Sequence, residues 1–403
     1  MLPINLQDLN PSHIQSLIDS EVAESQTLEY KQQLPSGQSE EKREFLYDIA
    51  AMANSGGGDL VYGIVDRRGE GGQATGTAER ASGVKLSNPQ PEIDRLANLI
   101  RDGIEPRISG IVMQAVNCPG GDVVVIRVPN SWNRPHMVTI GGVNKFFGRT
   151  ATGKYPMSVD EISRAFSGQR ELGETIRRWR MKRVALIARD RGPVSLSGDV
   201  KTLFHVIPAS AFSSSILRES WKLSEEDQRR IYVPKGISST RYNADGFLAL
   251  GQAGSGVYGY TQVFRSGIIE YADAQCSGRR PIDREHTSIF GQEIERQMVS
   301  CYQDAVTRLR SQGRTEPLYL GLSLVGISGK PFYVSLMHFN PHATTTRRNT
   351  FVSAEVYVDV NEPEERPYRK TLLPLADTLW QLAGREGSPF KTKGVWEPFK
   401  EWE

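Results

Sequence analysis

Two carboxylates and an ammonium group lie close together in Glu24-Ser25-Gln26-Thr27-Leu28-Glu29-Tyr30-Lys31, and a third acid, Asp66, follows the apolar run from Leu60 to Val65. Side chains alternate across a β-strand, so an extended Thr27 to Lys31 puts Glu29 and Lys31 on one face. Glu24 is just upstream, within reach of the same edge. Asp66 ends a second strand and is followed by a polar, glycine-rich stretch. Carboxylates converging at strand ends form a hard-oxygen site suited to Mg2+ or Mn2+. An ion there neutralises charge developing on a phosphate and activates water, while Lys31 supports an attacking or leaving oxygen. The same spacing also fits a solvated strand face and a turn aspartate.

The elements that must position these groups follow from apolar spacing. Leu6 to Glu21 reads as a short amphipathic helix. Ser39 to Asn54 reads as another, since Phe45, Leu46, Ile49, Ala50 and Ala53 recur every three or four residues, with Ser39 as N-cap. It should stop at Asn54-Ser55-Gly56-Gly57-Gly58, where glycine accepts the left-handed conformation that ends helices. Leu60 to Val65 reads as a buried strand. A helix from Gln90 to Arg101, strands at Ile111–Val116, Val123–Val128 and Asn144–Arg149, and a capping box Ser158-Val159-Asp160-Glu161 opening a helix through Phe166 complete this half. The glycine run is no phosphate loop, because a helix precedes it, a strand follows, and no Gly-Lys-Ser/Thr is present.

From Leu172 to Arg189 a basic helix carries Arg177, Arg178, Arg180, Lys182 and Arg183, with Trp179 among them. Such local charge suits contact with a phosphate backbone, and an interleaved indole can stack a base. A linker helix with Trp179 packed at a domain junction fits equally. Beyond Gly192-Pro193 the character changes. Turn signals at Asn243-Ala244-Asp245-Gly246, Ser266-Gly267 and Ser328-Gly329-Lys330 predict hairpins. Helices are expected over Ser288 to Arg310 and Leu373 to Leu382. The organisation is therefore α+β throughout: residues 1–170, a linker helix over 171–192, and a second α+β domain, 193–403, for sensing, partner binding or dimerisation. Exposed Trp396 and Trp402 would suit docking.

The first of these domains resembles a known family. Glu24-Ser25…Leu28-Glu29-Tyr30-Lys31, then Ile49 to Gly58, then Leu60-Val61-Tyr62-Gly63-Ile64-Val65-Asp66 resemble the Schlafen AlbA-type domain. The likeness continues through Val128-Pro129-Asn130-Ser131, Pro135, Lys145-Phe146-Phe147-Gly148-Arg149 and Met157 to Ile162, covering roughly residues 16 to 168. Animal Schlafen proteins use this domain as a metal-dependent ribonuclease on transfer and ribosomal RNA. Their three catalytic acids correspond to Glu24, Glu29 and Asp66, which the resemblance makes ligands of Mg2+ or Mn2+, with Lys31 beside them and Arg149 on the nucleic-acid face. It thus implies an endoribonuclease of structured RNA such as tRNA, in bacterial antiphage defence or stress. Bacterial relatives described as DNA-binding regulators or ATP-binding proteins imply two alternatives: a non-catalytic DNA- or RNA-binding transcriptional regulator using the same cleft, or a nucleotide-binding scaffold. Animal members enclose RNA between two lobes, and the single lobe here implies a homodimer or higher homo-oligomer. One extra glycine in the Asn54–Gly58 turn also departs from the family pattern.

Composition limits the remaining choices. Among 403 residues the formal net charge is +2, so any basic surface must come from local clustering. Cys118, Cys276 and Cys301 are odd in number and form no CxxC pair, which fits a reducing compartment rather than a disulfide framework. The acidic, polar start to Asp19 lacks a signal-peptide pattern, and no apolar run approaches a membrane span. A cytoplasmic protein is expected. His338 and His342 flank Asn340-Pro341, which breaks the helical spacing of a zinc pair; His136 and His205 read as structural. No Gly-x-Ser-x-Gly elbow supports serine-hydrolase chemistry.

Overall fold

The computed structural model describes residues 2, 6–69, 71–142, 144–212, 223–234, 236–279, 287–312, 316–334, 344–358 and 368–400. The chain is mixed α+β and divides into two units, Met1–Glu171 and Leu172–Glu403. The boundary falls inside one helix.

The first unit runs α1 (Pro11–Asp19), β1 (Leu28–Lys31), α2 (Ser39–Ser55), β2 (Gly58–Tyr62), β3 (Ile64–Arg68), β4 (Ala74–Ala81), α3 (Pro89–Gly103), β5 (Ile104–Glu105), β6 (Val112–Cys118), β7 (Gly121–Val128), β8 (Met137–Val138), β9 (Lys145–Thr150), β10 (Gly153–Pro156) and the start of α4 (Val159–Ala188). Its central sheet has the order β1-β2-β7-β6, with β1 parallel to β2 and the other pairs antiparallel. Both faces are covered, which is why β2 and β7 read as unbroken apolar runs. Leu60, Tyr62, Val124, Ile126 and Val128 pack with Phe45, Ile49 and Met52 of α2. The alternate residues Val61, Val123 and Val125 pack with Ile14 and Leu17 of α1. Leu28 and Tyr30 join the α1 side, so Glu29 and Lys31 point to the α2 side, in register with Leu60 and Tyr62.

Several boundaries differ from expectation for local reasons. Gln38, not Ser39, is the N-cap of α2, and it makes no side-chain capping bond. The helix ends at Gly56, and Gly57 follows with φ +80°; a Cβ there would lie 2.7 Å from Val128 O, so the glycine run is a helix stop pressed against β7. The strand expected to end at Asp66 is two strands. Gly63, at φ +92°, breaks it, and Asp66 lies within β3, paired with Ala78 of β4. The two helices expected around Phe166 and Leu172 are one continuous α4.

The second unit holds the rest of α4, then β11 (Lys201–Pro208), α5 (Glu225–Arg229), β12 (Ser239–Tyr242), β13 (Gly246–Ala253), β14 (Gly256–Phe264), β15 (Ile269–Asp273), β16 (Ser277–Arg279), β17 (Thr287–Phe290), α6 (Gly291–Ser311), β18 (Leu318–Val325), β19 (Phe332–Tyr333), β20 (Thr350–Val352), β21 (Val356–Val358), α7 (Tyr368–Leu382), β22 (Lys391–Thr392) and β23 (Val395–Trp396). Its main sheet runs β12-β13-β14-β15-β11-β18-β20, with β21 also on β18. The turns at Asn243–Gly246 and Ser266-Gly267 close hairpins. Ser328-Gly329-Lys330 does not, because β18 pairs instead with β11, β20 and β21. One face packs on α6 and α7. On the other, Val184 and Ile187 of α4 meet Leu203, Leu248 and Tyr260. The segment expected to be a linker is therefore part of a core. Trp396 is buried, its indole N–H donating to Glu295 Oε2 at 2.9 Å, rather than displayed for docking. His338, His342 and Trp402 lie outside the described residues.

Candidate functional site

Glu29 leaves the α2 face of β1 and is nearly buried, which a carboxylate tolerates only with partners. Its two oxygens meet Lys31 Nζ and Arg149 Nη1. Burial acts to raise its pKa, but the two cations outweigh this and hold the carboxyl below its ordinary value. Arg149 comes from β9 and is itself buried, its backbone N–H donating to Ser55 Oγ at 2.7 Å and Nη2 to Ser25 O at 3.3 Å. The expected surface role for Arg149 is thus corrected: it is an internal counter-ion that fixes Glu29.

Sequence reading missed the other half of this network. Asp48 of α2 is buried, with one oxygen 3.6 Å from Lys31 Nζ and the other 2.6 Å from Lys154 Nζ of β10. Lys154 Nζ also reaches Glu44 at 2.8 Å. Burial, and then Glu29, raise the Asp48 pKa despite the two lysines. A signal for Asp48 existed, since it interrupts the apolar stripe between Phe45 and Met52. For Lys154, placed by a hairpin far along the chain, there was none. Charges therefore alternate from Arg149 through Glu29, Lys31, Asp48 and Lys154 to Glu44.

Glu24 and Asp66 stand apart from this ladder. The backbone around Glu24 pairs with β4 (Ala23 opposite Thr77, Glu24 N donating to Gly76 O at 2.6 Å), and β3 with Asp66 pairs along the other side of β4. Glu24 Oε1 accepts from Tyr30 N at 2.7 Å. Burial raises the Glu24 pKa, and the nearby negative charges of Glu29 and Asp66 add to the rise. Neither Glu24 nor Asp66 makes an ion pair among the described residues, and Asp66 Oδ1 is buried with no hydrogen-bond partner. A buried carboxylate oxygen left unmatched beside another acid is costly. Among the described residues no group of three or more His, Cys, Asp and Glu is disposed to hold a metal ion. The expected three-acid ligand set is corrected accordingly: Glu29 is committed to Lys31 and Arg149, and the acids left with capacity for a cation are Glu24 and Asp66. Of the groups named, five are acids (Glu24, Glu29, Glu44, Asp48, Asp66) and three are cations (Lys31, Arg149, Lys154). That leaves two formal negative charges, a balance that suits a divalent ion.

The family model "Schlafen, AlbA_2" matches residues 24–158. Residues 24–158 are a Schlafen AlbA_2 domain. The AlbA_2 match begins at Glu24 and takes in every residue of the charge ladder. Among solved structures, the chain is similar to the N-terminal domain of a RecG-related protein from Nitrosomonas europaea, at 22% identity over 34% of this chain and 86% of that one, TM-score 0.27. It is also similar to the DIP2311 protein from Corynebacterium diphtheriae, at 22% identity over 36% of this chain and 25% of that one, TM-score 0.23. No curated protein matches. The family has nucleic-acid-related members, and no helix among the described residues is long and apolar enough to cross a membrane.

The basic stretch of α4 separates into two faces. Arg180 is fully buried: Nη1 donates to Ser353 O at 2.9 Å and pairs with Glu355 Oε1 at 2.6 Å, while Nη2 donates to Leu322 O at 3.1 Å. Arg183 makes a two-pronged bond to Glu270 at 2.9 and 2.7 Å. Glu270 also accepts from Tyr260 and meets His205 Nε2; burial opposes ionisation, but Arg183 and His205 pull the Glu270 pKa down to about 2. Trp179 packs edge-on against His205 and Phe264. Arg180 and Arg183, expected to contact nucleic acid, are therefore internal anchors, since helical periodicity turns them toward the sheet. Arg177, Arg178 and Lys182 remain exposed. His136 is buried between Pro106 O and Ser131 Oγ at 2.6 Å each, and burial lowers its pKa to about 4, so it is neutral and structural.

Proposed function

We propose that the AlbA_2 domain is a divalent-metal-dependent endoribonuclease acting on structured RNA such as tRNA. The observation that carries this reading is the buried, unpartnered Oδ1 of Asp66 beside Glu24, whose own ionisation is disfavoured by burial and by its acidic neighbours. That oxygen, the neighbouring Glu24 carboxylate and an excess of negative charge fit a hard divalent cation. Mg2+ or Mn2+ held by Glu24 and Asp66 would neutralise charge on a phosphate. Lys31, partly exposed, offers its ammonium to a phosphate oxygen, and Glu29 and Asp48 hold that ammonium charged: burial favours loss of its proton, but the two acids keep its pKa raised. Arg149 fixes Glu29, and through it the direction of Lys31. RNA is preferred over DNA on the resemblance to animal Schlafen ribonucleases. The test is incubation of the full chain with tRNA and Mn2+. Cleavage should be complete with the ion and abolished by a chelator; cleavage that survives chelation, or none with either ion, overturns the reading.

The outward face of α4 is proposed to contact the RNA backbone through Arg177, Arg178 and Lys182. Replacing Arg178 and Lys182 together by Glu should weaken RNA binding and flatten the slope of log affinity against log salt by roughly 1 to 2, as two phosphate contacts release fewer counterions. Arg180→Lys is not a substitute test, because Arg180 is internal. A salt slope equal to that of the native chain would remove this face from the RNA contact.

A further inference from the structure

At the end of β1 the chain turns into a groove of about 870 Å3, walled by residues 32–37, residues 83–86 and one side of α3. Backbone hydrogen bonds tie it to Lys31. Gly63 N donates to Lys31 O at 2.8 Å, and Gly83 N, on the groove wall, donates to Gly63 O at 3.0 Å. The floor is apolar, made by Leu34, Leu86 and Leu99, which pack against the core beneath and keep one side open. Three exposed amides, Gln32, Gln33 and Asn98, line it, and Gln33 and Asn98 come from two different walls. The charged groups divide clearly. Arg95 is occupied by Glu92 and by Pro35 O at 2.6 Å, and Asp102 by Arg101 at 3.0 Å. Lys42 and Lys85 make no ion pair among the described residues, so the groove's unbalanced charge is positive.

An apolar floor, amide donors and acceptors on the walls, and ammonium groups at the mouth are what an unstacked base with its phosphates requires. The apolar surface takes the ring face, side-chain amides can read a base edge in two-point fashion, and lysines meet the backbone. A paired base presents neither its face nor its full edge to such a groove. We propose that this groove seats one unpaired nucleotide of the RNA next to the phosphate at which Lys31 works. The inference rests on the reading that the domain handles RNA, and it adds that the domain selects a single-stranded position and discriminates among bases there.

The experiment is fluorescence anisotropy with the full chain, in chelator so that nothing is cleaved, using labelled hexamers of uridylate, adenylate and cytidylate and a blunt RNA duplex. The native chain should bind the three hexamers with unequal affinities. Gln33→Ala combined with Asn98→Ala, both exposed and harmless to the fold, should remove the inequality. Lys85→Glu should weaken all three by about tenfold, within the range that single-stranded contacts contribute, and leave the duplex little changed. Equal affinities in the native chain, or a base preference untouched by the amide substitutions, overturn the proposal. The two readings fail separately. A chain that cleaves tRNA with Mn2+ yet binds the hexamers equally loses the groove and keeps the nuclease. One that discriminates the hexamers without cleaving keeps the groove and loses the nuclease.

Discussion

Asp66→Asn is expected to lower RNA cleavage by at least about 100-fold, the upper end of what even an outer-shell partner of a metal site costs, while leaving the melting temperature unchanged or raised. The two halves of this result have one cause. Asp66 Oδ1 is buried without a partner, and Glu24 is destabilised by burial and by its acidic neighbours. Removing the charge of Asp66 relieves that repulsion and contributes a side-chain N–H donor beside Glu24. Glu29→Ala should behave differently. Its loss leaves the buried Arg149 without a counter-charge and Lys31 with Asp48 alone, and breaking a buried pair from one side costs about 3 kcal/mol or more. Activity should therefore fall together with stability. Paired thermal melts and cleavage assays on both variants decide the matter. An Asp66→Asn protein that still cleaves, or that melts well below the native chain, contradicts the assignment of Asp66 to a metal.

The contrast between these two acids shows what could be read without coordinates. Strand alternation was enough to place Glu29 and Lys31 on one face, and the apolar spacing of α2 and the glycine stop after it were legible because both are local. Asp66 was legible as an acid next to a strand but not as a residue within one, since the break at Gly63 depends on β3 leaving the central sheet to pair with β4. The distant cations that answer Glu29 and Asp48 were out of reach: Arg149 and Lys154, respectively, arrive from a sheet that closes over α2 more than a hundred residues later in the chain. Charge in α4 misled for a related reason. Arginines that look alike along the sequence are divided by the helix, and only the sheet of the second unit decides that Arg180 and Arg183 belong to the inside.

That inside position carries the largest stability effect expected here. Gly321→Ala should destabilise the second unit by about 3–5 kcal/mol, close to the cost of breaking a buried ion pair, and lower its melting temperature by roughly 10 °C. The central part of β18 faces a gap between β20 and β21, and the Arg180 guanidinium fills that gap, held by Leu322 O, Ser353 O and Glu355. A Cβ on residue 321 would lie 2.0 Å from Arg180 Cζ, so the methyl and the guanidinium cannot both stay. If the guanidinium moves, Glu355 loses its partner, Ser353 O loses its donor, and Leu322 O is left with Ser353 N alone in a dry interior. Arg180→Met should remove the clash as well as the bonds, so Gly321→Ala in an Arg180→Met background should cost much less than in the native chain. Calorimetric melts of the two single variants and the double one form the cycle. Strictly additive losses would mean that Gly321 is glycine for some reason other than Arg180. Cleavage measured below the melting transition separates this anchor from the site, because the AlbA_2 domain that carries Glu24, Glu29 and Asp66 has a core of its own.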